Sequence, residues 1–152
     1  MTKKLTLSLI IILLLSCNRI KENRNISGNW YSSSSEKLEN STIDYAEIFI
    51  KNDTVHICSE YMLRMFPRKM ILKNDSLFFE SKSDSNFVGN ILKKTKNSFE
   101  LGINNENKRT YYKMENFKTL ENLVNGEITE KKYYSEFIKR MNNRYEKLGI
   151  EN

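Results

Sequence analysis

The chain carries one histidine, His56, and two cysteines, Cys17 and Cys58. Imidazoles and thiolates supply most nucleophiles, general bases and soft metal ligands near neutral pH. One imidazole and two thiols fall short of a His-rich metal site or a disulfide scaffold. No serine and carboxylate are spaced to build a triad with His56, so it reads as a structural or surface histidine. Cys58 reads as a small buried hydrophobe. Glu36, Glu39, Asp44 and Glu47 gather along one stretch. Nothing holds two of them on one face at the separation of a glycosidase pair, so they read as solvated loop charges. The five glycines form no phosphate-cradling loop. The expectation is a protein without catalysis, metal or cofactor.

Composition bounds the rest. The chain has 152 residues, 39% apolar and 29% charged, with 25 Lys+Arg against 19 Asp+Glu. That is enough for one core and too little for two. A formal charge of +6 spread over the chain is no nucleic-acid footprint.

The elements that would position these residues are mostly strands. From Ser27 to about Asn116 the pattern has period 2, with turn dipeptides at short intervals. Eight strands are predicted at roughly 28–34, 43–51, 54–61, 67–73, 76–82, 86–93, 97–103 and 109–115. Pro67, the one proline, is expected at a strand start, where a missing N–H does least harm. Lys51-Asn52-Asp53-Thr54 and Lys73-Asn74-Asp75-Ser76 repeat one turn signal. Asn and Asp tolerate positive φ, so each predicts a two-residue hairpin loop.

Those loops fix registers. A 52–53 loop pairs Ile50 with Val55, Ile48 with Ile57 and Ala46 with Ser59 on one face, and Phe49 with His56 and Glu47 with Cys58 on the other. A 74–75 loop pairs Leu72 with Leu77 and Met70 with Phe79, and Lys69 meets Glu80. A one-residue slip would scramble both faces. A loop at Lys96-Asn97 brings Leu92 to Leu101 and Lys93 to Glu100.

Residues 119–148 change period. Thr119 caps a short helix through Val124, closed by Gly126, and Thr129 caps a longer one ended by Gly149. Tyr134, Phe137, Ile138, Met141, Tyr145 and Leu148 make its apolar stripe, with Lys131, Lys132, Glu136, Lys139, Arg140, Asn143 and Lys147 mostly opposite. The stripe is expected to cover the outer face of the sheet at Tyr45, Phe49, Ile71 and Phe78.

The N-terminus has a different character. Lys3 and Lys4 precede an apolar run from Leu5 to Leu15, too short to span a bilayer and placed where a signal h-region belongs. Leu14-Leu15-Ser16-Cys17 resembles the bacterial lipobox. The resemblance implies cleavage after Ser16, a diacylglycerol thioether on Cys17 and acylation of the new amino group. Acyl chains at about 0.8 kcal/mol per buried CH₂ would then hold the protein to a membrane. Loss of Lys3 and Lys4 lowers the formal charge from +6 to +4. Asn18, where inner-membrane lipoproteins favour Asp, points to the outer membrane of a Gram-negative cell envelope. The organisation expected is a signal peptide at 1–16, a lipidated tether at 17–26, and a β domain at 27–149 with its helix at about 119–148.

Gly28-Asn29-Trp30 resembles the Gly-x-Trp signature of the lipocalins and of small bacterial lipocalin-like lipoproteins. Eight meandering strands followed by a helix follow the same order. The resemblance implies an eight-stranded antiparallel up-and-down barrel, with Gly28 where the chain enters the barrel floor and Trp30 plugging the closed end. Arg109 is the nearest candidate for the arginine that lies over that tryptophan. The alternative fold is α+β, an open antiparallel sheet with the helix across it.

Trp30, Ile48, Ile50, Val55, Ile57, Met70, Leu72, Leu77 and Phe79 would line the interior, as core or as ligand pocket. The function expected is that of a lipid-anchored envelope binding protein. Its partners would be the membrane through Cys17, and a small apolar ligand held in the barrel. The alternative is a protein-binding envelope lipoprotein with a filled core, for which Tyr111, Tyr112, Tyr133 and Tyr134 are candidate contacts.

Overall fold

Asn74 and Asp75 both adopt positive φ, 50° and 67°. That is the backbone of a type I′ turn, whose twist matches the strands on either side. It joins β4 (Met62–Lys73) to β5 (Ser76–Glu80). Met70 pairs with Phe79, Ile71 with Phe78 and Leu72 with Leu77, and Lys69 reaches Glu80 at 3.7 Å. Asn52, with φ 55°, turns β2 (Tyr45–Lys51) into β3 (Thr54–Ser59). All five expected pairs, from Ile50–Val55 to Ala46–Ser59, are present, and Lys51 faces Thr54 beside the turn.

A computed structural model describes residues 25–33, 45–82, 84–115 and 118–149. Cys17, the expected signal peptide and the expected lipidated tether up to residue 24, as well as Glu36, Glu39 and Asp44, lie outside them. The remaining strands are β1 (Gly28–Ser33), β6 (Ser85–Lys94), β7 (Ser98–Gly102) and β8 (Lys108–Lys113). Each strand pairs antiparallel with the next, and β8 returns to β1, so the sheet is a closed eight-stranded barrel. The up-and-down barrel that the resemblance implied is the one observed, and the open-sheet alternative is not.

Two departures come from local backbone. β4 begins five residues before Pro67, which lies within the strand opposite His56. Before Met70 no β5 residue pairs with β4, so Pro67 sits where one flank is open and an absent N–H is tolerated. In the third hairpin Lys93 does face Glu100, but a register shift between Ile91 and Lys93 makes Ile91, not Leu92, the partner of Leu101. Shifts of this kind, also at Ile57/Ser59 and Leu77/Phe78, bend strands and help a sheet close.

Two helices follow. In α1 (Leu120–Val124) the Thr119 N–H donates to Asn122 Oδ1 at 2.8 Å. Asn29, on the outer face of β1, clasps this helix: its Nδ2 donates to Glu121 Oε2 at 2.7 Å, and its Oδ1 accepts from the Glu121 N–H at 3.1 Å. In α2 (Glu130–Lys147) Thr129 Oγ1 accepts from the Lys132 N–H. Helix α2 covers Tyr45, Phe49 and Cys58 with Tyr133, Phe137 and Tyr145, all buried. Burial of each large side chain stabilises by about 1.5–3 kcal/mol. Strand β2 is therefore buried on both faces up to Lys51, with Ala46, Ile48 and Ile50 inward and Tyr45, Glu47 and Phe49 outward.

The buried stripe of α2 keeps Phe137 and Tyr145 of the expected one, with Tyr134 and Met141 packed at its edge, and is shifted towards Tyr133. Tyr133 is wholly buried where Tyr134 is half-buried, Ile138 is 40% exposed, and Arg140 faces the barrel. The helix covers Tyr45 and Phe49 but leaves Ile71 exposed and Phe78 half-buried.

Candidate functional site

The interior was the first candidate site. Trp30, Ile48, Ile50, Val55, Met70 and Leu77 are buried there together, with Ile57 and Phe79 packed against them. Leu72 is a correction: it is 37% exposed. It is the last inward-facing residue of β4, one position from the strand end, and no further strand residue covers it. The interior also contains Ile26, Ile91, Phe99, Val88, Leu101 and Tyr111. Val88 and Ile91 lie beside register shifts of β6, Ile26 precedes β1, and Phe99, Leu101 and Tyr111 belong to β7 and β8, beyond the two hairpins whose registers were regular.

Together these side chains leave a cavity of about 50 Å³, with Ile26 and Tyr111 among its walls. A site for a small ligand usually measures roughly 300–1,000 Å³. The remaining space approaches that of one or two waters, yet its walls are apolar, and such cavities stay dry.

One end of the barrel is plugged. Gly28 has φ 119°, a conformation open to glycine and strained for other residues. There the chain turns from the plug residue Ile26 into β1. Trp30 Nε1 donates to the Ile26 carbonyl at 2.8 Å, and its ring meets Phe99 edge-on at 5.0 Å. Arg109 is not over this ring. Trp30 is paired with Lys113, whereas Arg109 pairs with Leu101. Four residues of strand separate Arg109 from Lys113, roughly 13 Å.

The most ordered polar cluster lies outside the barrel wall, beneath α2. Glu47 is wholly buried, not a solvated loop charge. Its Oε1 accepts from Arg140 Nε at 2.8 Å and from the Tyr45 hydroxyl at 2.8 Å. Its Oε2 accepts from Arg140 Nη2 at 3.0 Å and from the Tyr133 hydroxyl at 2.9 Å. Burial, then the Glu47 charge, pushes both tyrosine pKa values well above the ordinary range, so both hydroxyls remain protonated donors. Burial works against the Arg140 charge, but the bonds to Glu47 outweigh it and hold the guanidinium pKa above its usual value. A carboxylate offers about four lone-pair directions, and here four donors occupy them. The cluster fastens a helix to a barrel and presents no free acceptor to a substrate.

Cys58, opposite Glu47 in the register, is buried, and burial pushes its thiol up to about 11. His56 stacks on Phe49 at 5.9 Å between ring centres. Its Nδ1 is buried without a partner, and burial lowers its pKa. Among the described residues no three His, Cys, Asp or Glu side chains stand close enough to hold a metal ion.

The four tyrosines do not make one patch. Tyr133 is in the core and Tyr111 stacks on Phe99 inside the barrel, while Tyr112 is 39% exposed. Instead, Ile71, Phe78 and Phe87 form a cross-strand row on the outside of β4, β5 and β6. Ile71 is 44% and Phe87 50% exposed, and the rings of Phe78 and Phe87 lie 5.5 Å apart. The sequence pattern places Ile71 and Phe78 under the helix and gives no role to Phe87, so this open apolar surface is not visible in it.

The fold and these sites define a closed, filled up-and-down β-barrel with a helix clasped to its outer wall. No protein-family model, curated protein or solved structure matches the chain.

Proposed function

We propose that this protein is a lipid-anchored binding module of the bacterial cell envelope that works through its outer wall, as a protein-binding lipoprotein with a filled core. The observation that carries this reading is the interior of about 50 Å³, where a hollow carrier would need several times that space. The row Ile71–Phe78–Phe87 supplies the surface. Aromatic and aliphatic side chains left open on a sheet face are the usual anchors of a protein contact. The lipobox residues Leu14 to Cys17 support the anchoring, and the occupied Glu47 cluster supports a non-catalytic role.

The test is native mass spectrometry of the full chain purified from its host membranes, beside an Ile71→Asp/Phe87→Asp variant. Both positions are exposed, so the variant should fold. A stoichiometric protein lost in the variant supports the reading. A co-purifying small molecule restores the carrier function, and a partner retained by the variant removes the strip from the contact.

A further inference from the structure

The plugged end of the barrel holds a second surface, built from charge. The turns at 52–53, 74–75 and 96–97 meet there, as does the chain entering β1 from Asn25. A recess of about 380 Å³ opens beside Trp30, lined by Lys94, Lys96 and Lys113 with Asn25, Ser27 and Thr95, and by no carboxylate. Lys51 and Lys73 flank the neighbouring turns, with Asp53, Asp75 and Glu115 the acids nearby. At the opposite end the charge reverses. Among the described residues, the loops joining β3–β4, β5–β6 and β7–β8 and the strand ends beside them carry Glu60, Glu80, Asp84 and Glu106 against Lys82 and Lys108.

We propose that the plugged end is a docking face for anionic phospholipid headgroups, with Lys94, Lys96 and Lys113 holding the phosphate. The inference rests on the reading that Cys17 is lipidated. Two observations select this occupant. The first is reach: the chain from Cys17 to Asn25 spans at most about 28 Å when fully extended. Asn25 is itself a wall of the recess, so an acylated Cys17 keeps the recess within that distance of the bilayer. The second is charge: the end that the tether holds near the membrane is the lysine-rich one, and the acidic loops point away. Surface lysines near an anionic bilayer each favour contact by roughly fivefold. Three of them shift the balance of docked and free orientations by on the order of 100-fold.

The chain's single tryptophan is Trp30, at the wall of this recess, so it reports the approach directly. The full chain, labelled with palmitate in a bacterium and purified from its membranes, is reconstituted into vesicles containing a dansyl-headgroup lipid. One set is phosphatidylcholine alone, and the other contains about a third phosphatidylglycerol. The expected result is greater energy transfer from Trp30 to dansyl in the anionic vesicles. The gain should vanish in about 0.5 M NaCl and in a Lys94→Gln/Lys96→Gln/Lys113→Gln variant. Lys96→Gln/Lys113→Gln, changing two exposed side chains, serves if the triple variant is unstable. Equal transfer in both vesicle sets, or a gain that survives the substitutions, overturns the docking face. Inorganic phosphate that abolishes the gain where NaCl of equal ionic strength does not assigns the recess to a soluble anion and also overturns it. A chain that carries palmitate but shows no gain fails the docking alone. A chain without palmitate fails the anchor, and the docking face falls with it.

Discussion

The Glu47 carboxylate and the Arg140 guanidinium meet in a two-pronged pair, 2.8 Å at Nε and 3.0 Å at Nη2, although 93 residues separate them in sequence. Glu47 is wholly buried and Arg140 nearly so, with side-chain exposures of 0% and 15%. A buried pair of this kind is expensive to break and much less expensive to replace. Arg140→Met should destabilise the fold by about 3–5 kcal/mol, because it strands a buried carboxylate. The double change Glu47→Leu/Arg140→Met should regain at least about 1 kcal/mol of that loss, even with the Tyr45 and Tyr133 hydroxyls left without their acceptor. Urea unfolding of the two variants reads the order. A double variant less stable than Arg140→Met would show that the tyrosine bonds, not the ion pair, hold the helix.

His56 predicts a pH dependence of stability. Burial lowers its pKa in the folded state, below the value of about 6.5 that it has in the unfolded chain. As pH falls, the unfolded chain therefore takes up the proton first. Its contribution is complete above about pH 6.5 and is lost as pH falls through the folded-state value. Unfolding free energies should decline as pH falls below about 6.5, and less steeply in His56→Leu. Equal slopes in the two proteins would place the dependence elsewhere.

Cys58 should be nearly inert in the native protein. Its thiol is buried and pushed up to about 11, so little thiolate exists at neutral pH, and the reagent has no approach. Maleimide labelling should run at least on the order of 100-fold slower than on a free thiol, and reach the free rate once guanidinium unfolds the chain. Rapid labelling of the native protein would mean that α2 lifts from the barrel far more often than the packing of Tyr133 over Cys58 allows.

Short-range chemistry was legible in the sequence and long-range chemistry was not. Asn52-Asp53 and Asn74-Asp75 announce their turns, and alternation does the rest, so the β2–β3 and β4–β5 registers could be written pair by pair. The third hairpin failed at one residue because a bulge at Ile91/Lys93 leaves no mark in the pattern of apolar residues. Glu47 was misread because period 2 places it on a face but does not say what covers that face. The donors that make its burial tolerable lie 86 and 93 residues away, on a helix. Arg140 was misread for the same reason, since a cation on an apolar stripe makes sense only once its carboxylate is known. Eight of the nine residues expected in the interior, all but Trp30, belong to those two hairpins, and all of these but Leu72 pack inside, which is why the interior was read better than the outer wall.

The ring of strands is not equally strong all the way round. Strand β1 pairs with β2 over six residues but with β8 over two, Trp30 with Lys113 and Tyr31 with Tyr112. The molecule thus has a zipper with few teeth, bolstered by the Met114 N–H bond to the Asn29 carbonyl at 2.9 Å. Partial opening would begin there and bare two unpaired edges at once. Two copies opened at that seam could each complete the other's ring, so exchange of β8 between neighbours is the form of self-association to which this architecture is most exposed.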